Sequence, residues 1–277
     1  MRATRCLATM LLGLGACARG RAAPEPRPAP EPAKTPGAIG LATGWTGSYT
    51  LRRTDSIAIT LPTGAVQRQV LGQAARFTIW VGQDAKVTIR LDSLRVTPVS
   101  ATGMQDLVGA TWTGTLSRQG LGPLRASRSD AFLGTLGEAV RSLFPSTPRG
   151  GILPEARWAD TTETTRPVEA FTATDRRTSR WTAGTRTTRD GLTILPITLR
   201  AQFEQVGKGS QGGREMTMTA QGVRSSSYYV TMLGRVDQVV HRDSIAKFIT
   251  IPAGRQTIPT TQIVRVELRA LAPTTEP

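Results

Sequence analysis

The chain has 277 residues and a formal charge of +15, from 35 basic and 20 acidic side chains, a balance that invites a nucleic-acid reading. Against it, the basic residues are 31 arginines to 4 lysines, asparagine is absent, and the arginines are scattered without interleaved aromatics; this argues for coding bias and excludes nucleic acid as the expected partner. With one histidine, and cysteines only at Cys6 and Cys17, neither a disulfide framework nor a bound metal or other cofactor is expected in the body of the chain.

At the amino terminus Arg2 and Arg5 precede an uncharged apolar run from Leu7 to Ala16. The run is too short to span a bilayer, which takes about 20 apolar residues, and has the order of a secretory signal. Leu14-Gly15-Ala16-Cys17 resembles the lipobox of bacterial lipoproteins. The resemblance implies removal of 1–16 as a signal peptide, a thioether-linked diacylglycerol on Cys17, and acylation of the new amino terminus. Loss of Arg2 and Arg5 would leave a charge of +13. Several acyl chains on one residue suffice for stable membrane anchoring. Ala18, where inner-membrane retention would favour Asp, points to the outer membrane. The alternative is an ordinary signal peptide cut after "ARGRAA". Residues 17–44, rich in Pro and Ala, are expected to be a disordered, extended tether.

From Trp45 onward the pattern is β. Ile57, Ile59 and Leu61 alternate with polar or small residues, as do Val87, Ile89 and Leu91, then Met216, Met218 and Ala220, then Val264, Val266 and Leu268. Period-2 alternation marks strands with one dry face, the antiparallel pattern. Forty threonines suit a pleated surface. Turn signals at Pro62-Thr63-Gly64, Gly82-Gln83-Asp84, Asp190-Gly191 and Pro252-Ala253-Gly254 separate the runs. Near 130–144 "AFLGTLGEAVRSLF" predicts one amphipathic helix, capped by Ser129 or Asp130, with Phe132, Leu136, Val140 and Leu143 or Phe144 on one face. "RTDSIAITLPTG" (53–64) and "RDSIAKFITIPAG" (242–254) echo one another. The expected fold is mainly β, a β-rich α+β chain with antiparallel curved sheets or a half-open barrel. The expected division is a first β half at 45–128, helix and linker at 129–150, and a second β half at 151–277.

Signals for chemistry are few. "GKGSQG" (207–212) matches a dinucleotide-binding loop literally, but strand-like runs flank it on both sides, so a hairpin is expected. His241 has Asp237 and Asp243 near it in sequence but no activated serine, and is expected to be a partly exposed strand residue. No catalytic set is assigned, and a non-enzyme is expected. Trp80, Trp112, Trp158 and Trp181 are candidate ligand-stacking residues, with core or rim packing as the plainer alternative.

At "SLFPSTPRGGILPEARWADTT" (142–162) a helix ends in Leu-Phe-Pro, and a Pro/Gly stretch and a tryptophan before Asp-Thr follow. With the lipobox and the threonine-rich strands, this resembles uncharacterised bacterial envelope lipoproteins, similar in outline to the half-barrel carriers LolA, LolB and LppX. The resemblance implies a curved sheet holding a lipid or other apolar ligand, with no catalytic residue. An assembly lipoprotein that meets another envelope protein or an anionic polymer is the second expectation.

Overall fold

Alternating side chains turn almost every segment after residue 44 into strand. In a computed structural model, residues 35–98, 104–168, 170–252 and 256–272 are described. The signal segment, the lipobox with Cys17, and 18–34 lie outside them. The first strands are β1 (Trp45–Thr60), β2 (Val66–Val81), β3 (Lys86–Thr97) and β4 (Thr111–Ser117), followed by two-residue strands β5 (Gly120–Leu121) and β6 (Arg125–Ala126). After helix α1 (Ala131–Arg141) come β7 (Arg157–Val168), β8 (Phe171–Ala183), β9 (Thr187–Arg189) and β10 (Leu192–Gln211). The last three are β11 (Arg214–Thr231), β12 (Val236–Ile251) and β13 (Gln256–Ala270).

All thirteen strands join one antiparallel sheet in the order β5-β4-β3-β2-β1-β13-β12-β11-β10-β8-β7, with β6 on β4 and β9 on β10. The sheet does not close on itself: β7 ends it on one side and β4 with its short partners on the other. The two β segments on either side of the helix therefore share one sheet, joined where β1 pairs with β13. The expected turn at Asp190-Gly191 forms, whereas Ala253 and Gly254 of the expected Pro252-Ala253-Gly254 turn lie outside the described residues. Asp190 and Gly191, and again Gly212 and Gly213, all have positive φ, which a two-residue type I′ hairpin requires.

The echoed segments are β1 and β12, which flank β13 in the same direction. Asp55 and Asp243 both stand opposite Val264, so the shared Asp-Ser-Ile-Ala places two aspartates at one level of the sheet.

Helix α1 covers one end of the inward face. Asp130 caps it, its Oδ1 accepting from the Phe132 N–H at 2.7 Å and the Leu133 N–H at 3.1 Å. Leu133, Leu136, Gly137, Ala139 and Val140 are buried, whereas Phe132, expected on the apolar face, is only half-buried. A Cβ on Gly137 would come within 2.9 Å of Trp112 Nε1, so glycine permits the close approach of helix to sheet. The main core joins this helix to Tyr49, Leu51, Phe77, Ile79, Ile89, Leu195, Val239 and Leu268. A second cluster of Phe171, Ala173, Met216 and Met218, with Ile249 and Ile251 against it, lies toward the opposite ends of the strands.

The expected tether ends earlier than 44. Ile39 is 4% exposed and pairs with Ile152 through two backbone hydrogen bonds of 2.9 and 2.7 Å. The Ala42 N–H donates to the Gly234 carbonyl, and Trp45 Nε1 donates to the Ala42 carbonyl. An apolar Ile-Gly-Leu-Ala run inside a polar spacer gains more from burial than from solvent.

Candidate functional site

Because side chains alternate, each level of the inward face can be followed from strand to strand. One level runs Arg53, Val266, His241, Ser226, Leu199, Trp181 and Trp158. The next runs Asp55, Val264, Asp243, Arg224, Ala201, Ser179 and Asp160. Between the two apolar clusters the sheet thus carries a belt of buried charge.

Burying charge is costly unless it is paired and hydrogen-bonded. Arg224 meets Asp243 through a two-pronged contact, Nε to Oδ1 and Nη2 to Oδ2, both 2.6 Å. Arg53 grips Asp55 in the same way at 2.7 and 2.9 Å, and Gln262 Nε2 adds a third donor to Asp55 at 3.1 Å. Burial alone would raise the Asp243 carboxyl, but the hydrogen bonds and charge of Arg224 outweigh it and hold the carboxyl below its ordinary range. The same pairing lifts Arg224 against the opposing effect of its burial.

His241 is buried at 3% exposure, not partly exposed as its polar neighbours in sequence suggested. It follows Val239 by two residues and therefore shares that residue's inward face. Burial first, and the Arg224 charge next, pull its pKa down to about 3, so the ring is neutral. Ser142 Oγ lies 3.4 Å from Nδ1, but the hydroxyl is also 2.6 Å from the Ala139 carbonyl, to which it donates. Asp243, the carboxylate that would orient the ring in a hydrolase triad, is instead held by Arg224. The belt is thus suited to fixing register and helix position, with Asp243 held by Arg224, Asp55 by Arg53 and Gln262, and Asp160 by Trp181. Ser226 Oγ and Trp158 Nε1 are buried without a hydrogen-bond partner among the described residues.

The four candidate tryptophans do not converge. Trp112 is 1% exposed, donates to the Leu133 carbonyl at 3.2 Å and packs on Phe77. Trp181 is 6% exposed, donates to Asp160 Oδ2 at 3.0 Å, and lies between Trp158 and Tyr228. Its ring and that of Trp158 are parallel at 5.7 Å. Trp80 faces the other side of the sheet under the Arg90 guanidinium, 5.4 Å from its centroid. Trp112 and Trp181 are core residues, so the four do not form one stacking platform. Leu41, Ala42, Trp45, Tyr49, Leu143 and Phe144 surround a cleft in which no space the size of a water molecule remains.

"GKGSQG" belongs to a hairpin, with the turn at Gly212-Gly213 and not over the whole motif. Gly207 points inward, where a Cβ would stand 3.1–3.3 Å from Ala173, Phe171 and Met218, so its glycine serves packing. Among the described residues no group of three or more potential metal ligands is gathered.

The outward face is mostly polar, with Val206, Val223, Val240 and Phe248 exposed among its polar side chains. Its levels carry Thr178, Gln202 and Ser244, then Arg176 between Glu163 and Glu204, and Arg52 opposite Glu267. A lipid-facing β surface would instead present an apolar band. No helix among the described residues is long and apolar enough to cross a membrane. Sequence reasoning missed the buried pairs, although Arg53-Thr54-Asp55, with its two charges on one strand face, was a readable signal.

No protein-family model matches the chain, and no curated protein matches it. Among solved structures, Neisserial surface protein A aligns with 82% of this chain and all of its own, at 7% identity and a TM-score of 0.22. OccK2 (OpdF) of Pseudomonas aeruginosa aligns with 84% of this chain and all of its own, at 8% identity and a TM-score of 0.26. Scores this low do not mark a shared fold.

Proposed function

We propose that the chain is a bacterial envelope lipoprotein, anchored by lipid on Cys17, that acts without catalysis through the outward face of its sheet. It is an assembly or binding module held off the outer membrane by the Pro/Ala-rich segment. The observation that carries this reading is the filling of the inward face by helix α1, the tryptophans and the ion-paired belt. A carrier of an apolar guest would need that space, since ligand sites usually enclose several hundred Å³. The polar, arginine-bearing outward face is what the molecule offers to a partner. The expected partner is another envelope component, a protein or an anionic polymer.

The anchor is tested by Cys17→Ser. The variant should lose acyl labelling and leave the membrane fraction, and persistence of both would refute the anchor. A carrier role would be supported instead if the purified protein released a stoichiometric non-covalent lipid.

A further inference from the structure

Like charges directly opposite one another across an antiparallel pair cost stability, and one outward row of this sheet does this twice. Arg180 stands opposite Arg200, and Arg242 opposite Arg265. Ser225 on β11 lies between the two pairs, and Thr54 continues the row on β1. All four arginines are exposed, and none has a carboxylate partner among the described residues. Glu267, two positions from Arg265 on the same face, is opposite Arg52 and accepts from Gln238. Elsewhere the same face balances its charges, as where Arg176 stands between Glu163 and Glu204. The row is a departure from a rule the sheet otherwise follows.

We propose that this row binds an extended acidic polysaccharide with one carboxylate per sugar. The inference rests on the outward face being the binding face. Four strand intervals of about 4.8 Å give the row a length of about 19 Å. It is one residue wide, which fits a linear chain and not the plane of a membrane. A uronic-acid polymer carries one carboxylate on every sugar of a linear chain, and each guanidinium presents a fork that matches a carboxylate. Beside the row, toward the β10–β11 hairpin tip, runs an uncharged level of Thr161, Thr178, Gln202, Val223 and Ser244; its hydroxyls and amide suit sugar hydroxyls, and the exposed Val223 suits the apolar face of a sugar ring.

The test uses the full-length lipidated protein in detergent, with polygalacturonate as the probe and its fully methyl-esterified form as the neutral control. The acidic polymer should bind, with affinity falling as salt rises, and the ester should not. R180Q/R200Q/R242Q/R265Q should weaken binding at least about tenfold, whereas R68Q/R118Q/R149Q/R214Q, which removes equal charge elsewhere, should change it less than about twofold. Equal losses in both variants would reduce the effect to net charge and overturn the site. Equal binding of the ester would overturn the carboxylate. Row-dependent binding of inorganic polyphosphate or phosphatidylglycerol vesicles, at least as tight, would overturn the polysaccharide. Because the row repels itself, its variant should melt at an equal or higher temperature, and a lower one would contradict the electrostatic account. Fractionation of Cys17→Ser reports on the anchor alone and stands whichever way polymer binding falls.

Discussion

Arg242 and Asp243 are adjacent on β12 and face opposite sides of the sheet. Asp243 points inward, is 5% exposed and is held by Arg224 on the neighbouring strand. Arg242 points outward and stands opposite another arginine, Arg265. One set of strands therefore carries two charged rows with opposite logic. Inside, low dielectric makes an unmatched charge very expensive, so each charge is met at hydrogen-bonding distance. Outside, water and salt screen repulsion, and like charges can be placed side by side at small cost. The inner row is shaped by stability. The outer one is tolerated by the fold and is free to serve a partner.

This contrast breaks most visibly on the inside. Asp243→Ala leaves Arg224 buried and uncompensated and should cost about 3–5 kcal/mol in urea unfolding. Replacing both, as Arg224→Met with Asp243→Leu, should recover most of that loss, because apolar groups of similar volume need no partner. A double variant as unstable as the single one would show that the pair does more than cancel its own burial.

The next effect is acid sensitivity. The folded-state pKa of His241, about 3, lies below the unfolded value of 6.5, so the unfolded chain binds the extra proton between them. The histidine's contribution to stability is complete above pH 6.5 and is lost as pH falls toward 3, by up to about 1.4 kcal/mol per pH unit. His241→Gln should flatten the dependence of unfolding free energy on pH between 6.5 and 4.5; an unchanged slope would place the ring in water.

Smaller still, Asp130→Ala removes the acceptor for two N–H groups at the start of α1 and should cost about 1 kcal/mol by thermal unfolding. The smallest change has the opposite sign. Arg200→Thr relieves repulsion from Arg180 on the exposed face and should stabilise by about 0.2–1 kcal/mol. A clear loss would mean that Arg200 has a stabilising role on that face.

Much of the strand content was legible because alternation is a local signal. Val87-Thr88-Ile89-Arg90-Leu91 reads as a strand without knowing its partner, and so do the turns at Asp190-Gly191 and Pro62-Thr63-Gly64. The helix and its cap were equally local. The Asp-Ser-Ile-Ala echo was visible, but its meaning was not. That Asp55 and Asp243 share a level depends on both β1 and β12 pairing with β13, and β1 lies about two hundred residues before it. The polar neighbours of His241 suggest exposure, whereas its two-residue spacing from Val239 turns it inward. For the tryptophans, the polarity of sequence neighbours does not report what crosses the sheet toward them. Nothing in the sequence brings Arg180, Arg200, Arg242 and Arg265 together; only register does.

The interior is filled by the helix, the core side chains and the ion-paired belt, and the proposed function leaves only the outward face to meet a partner. Native mass spectrometry of the full-length protein extracted from membranes in mild detergent tests this most directly. It should show one chain beginning at Cys17 with its covalent acyl groups and no further lipid as detergent is stripped in the gas phase. A stoichiometric non-covalent lipid that survives stripping would mean that the inward face opens to hold a guest, and would contradict the account.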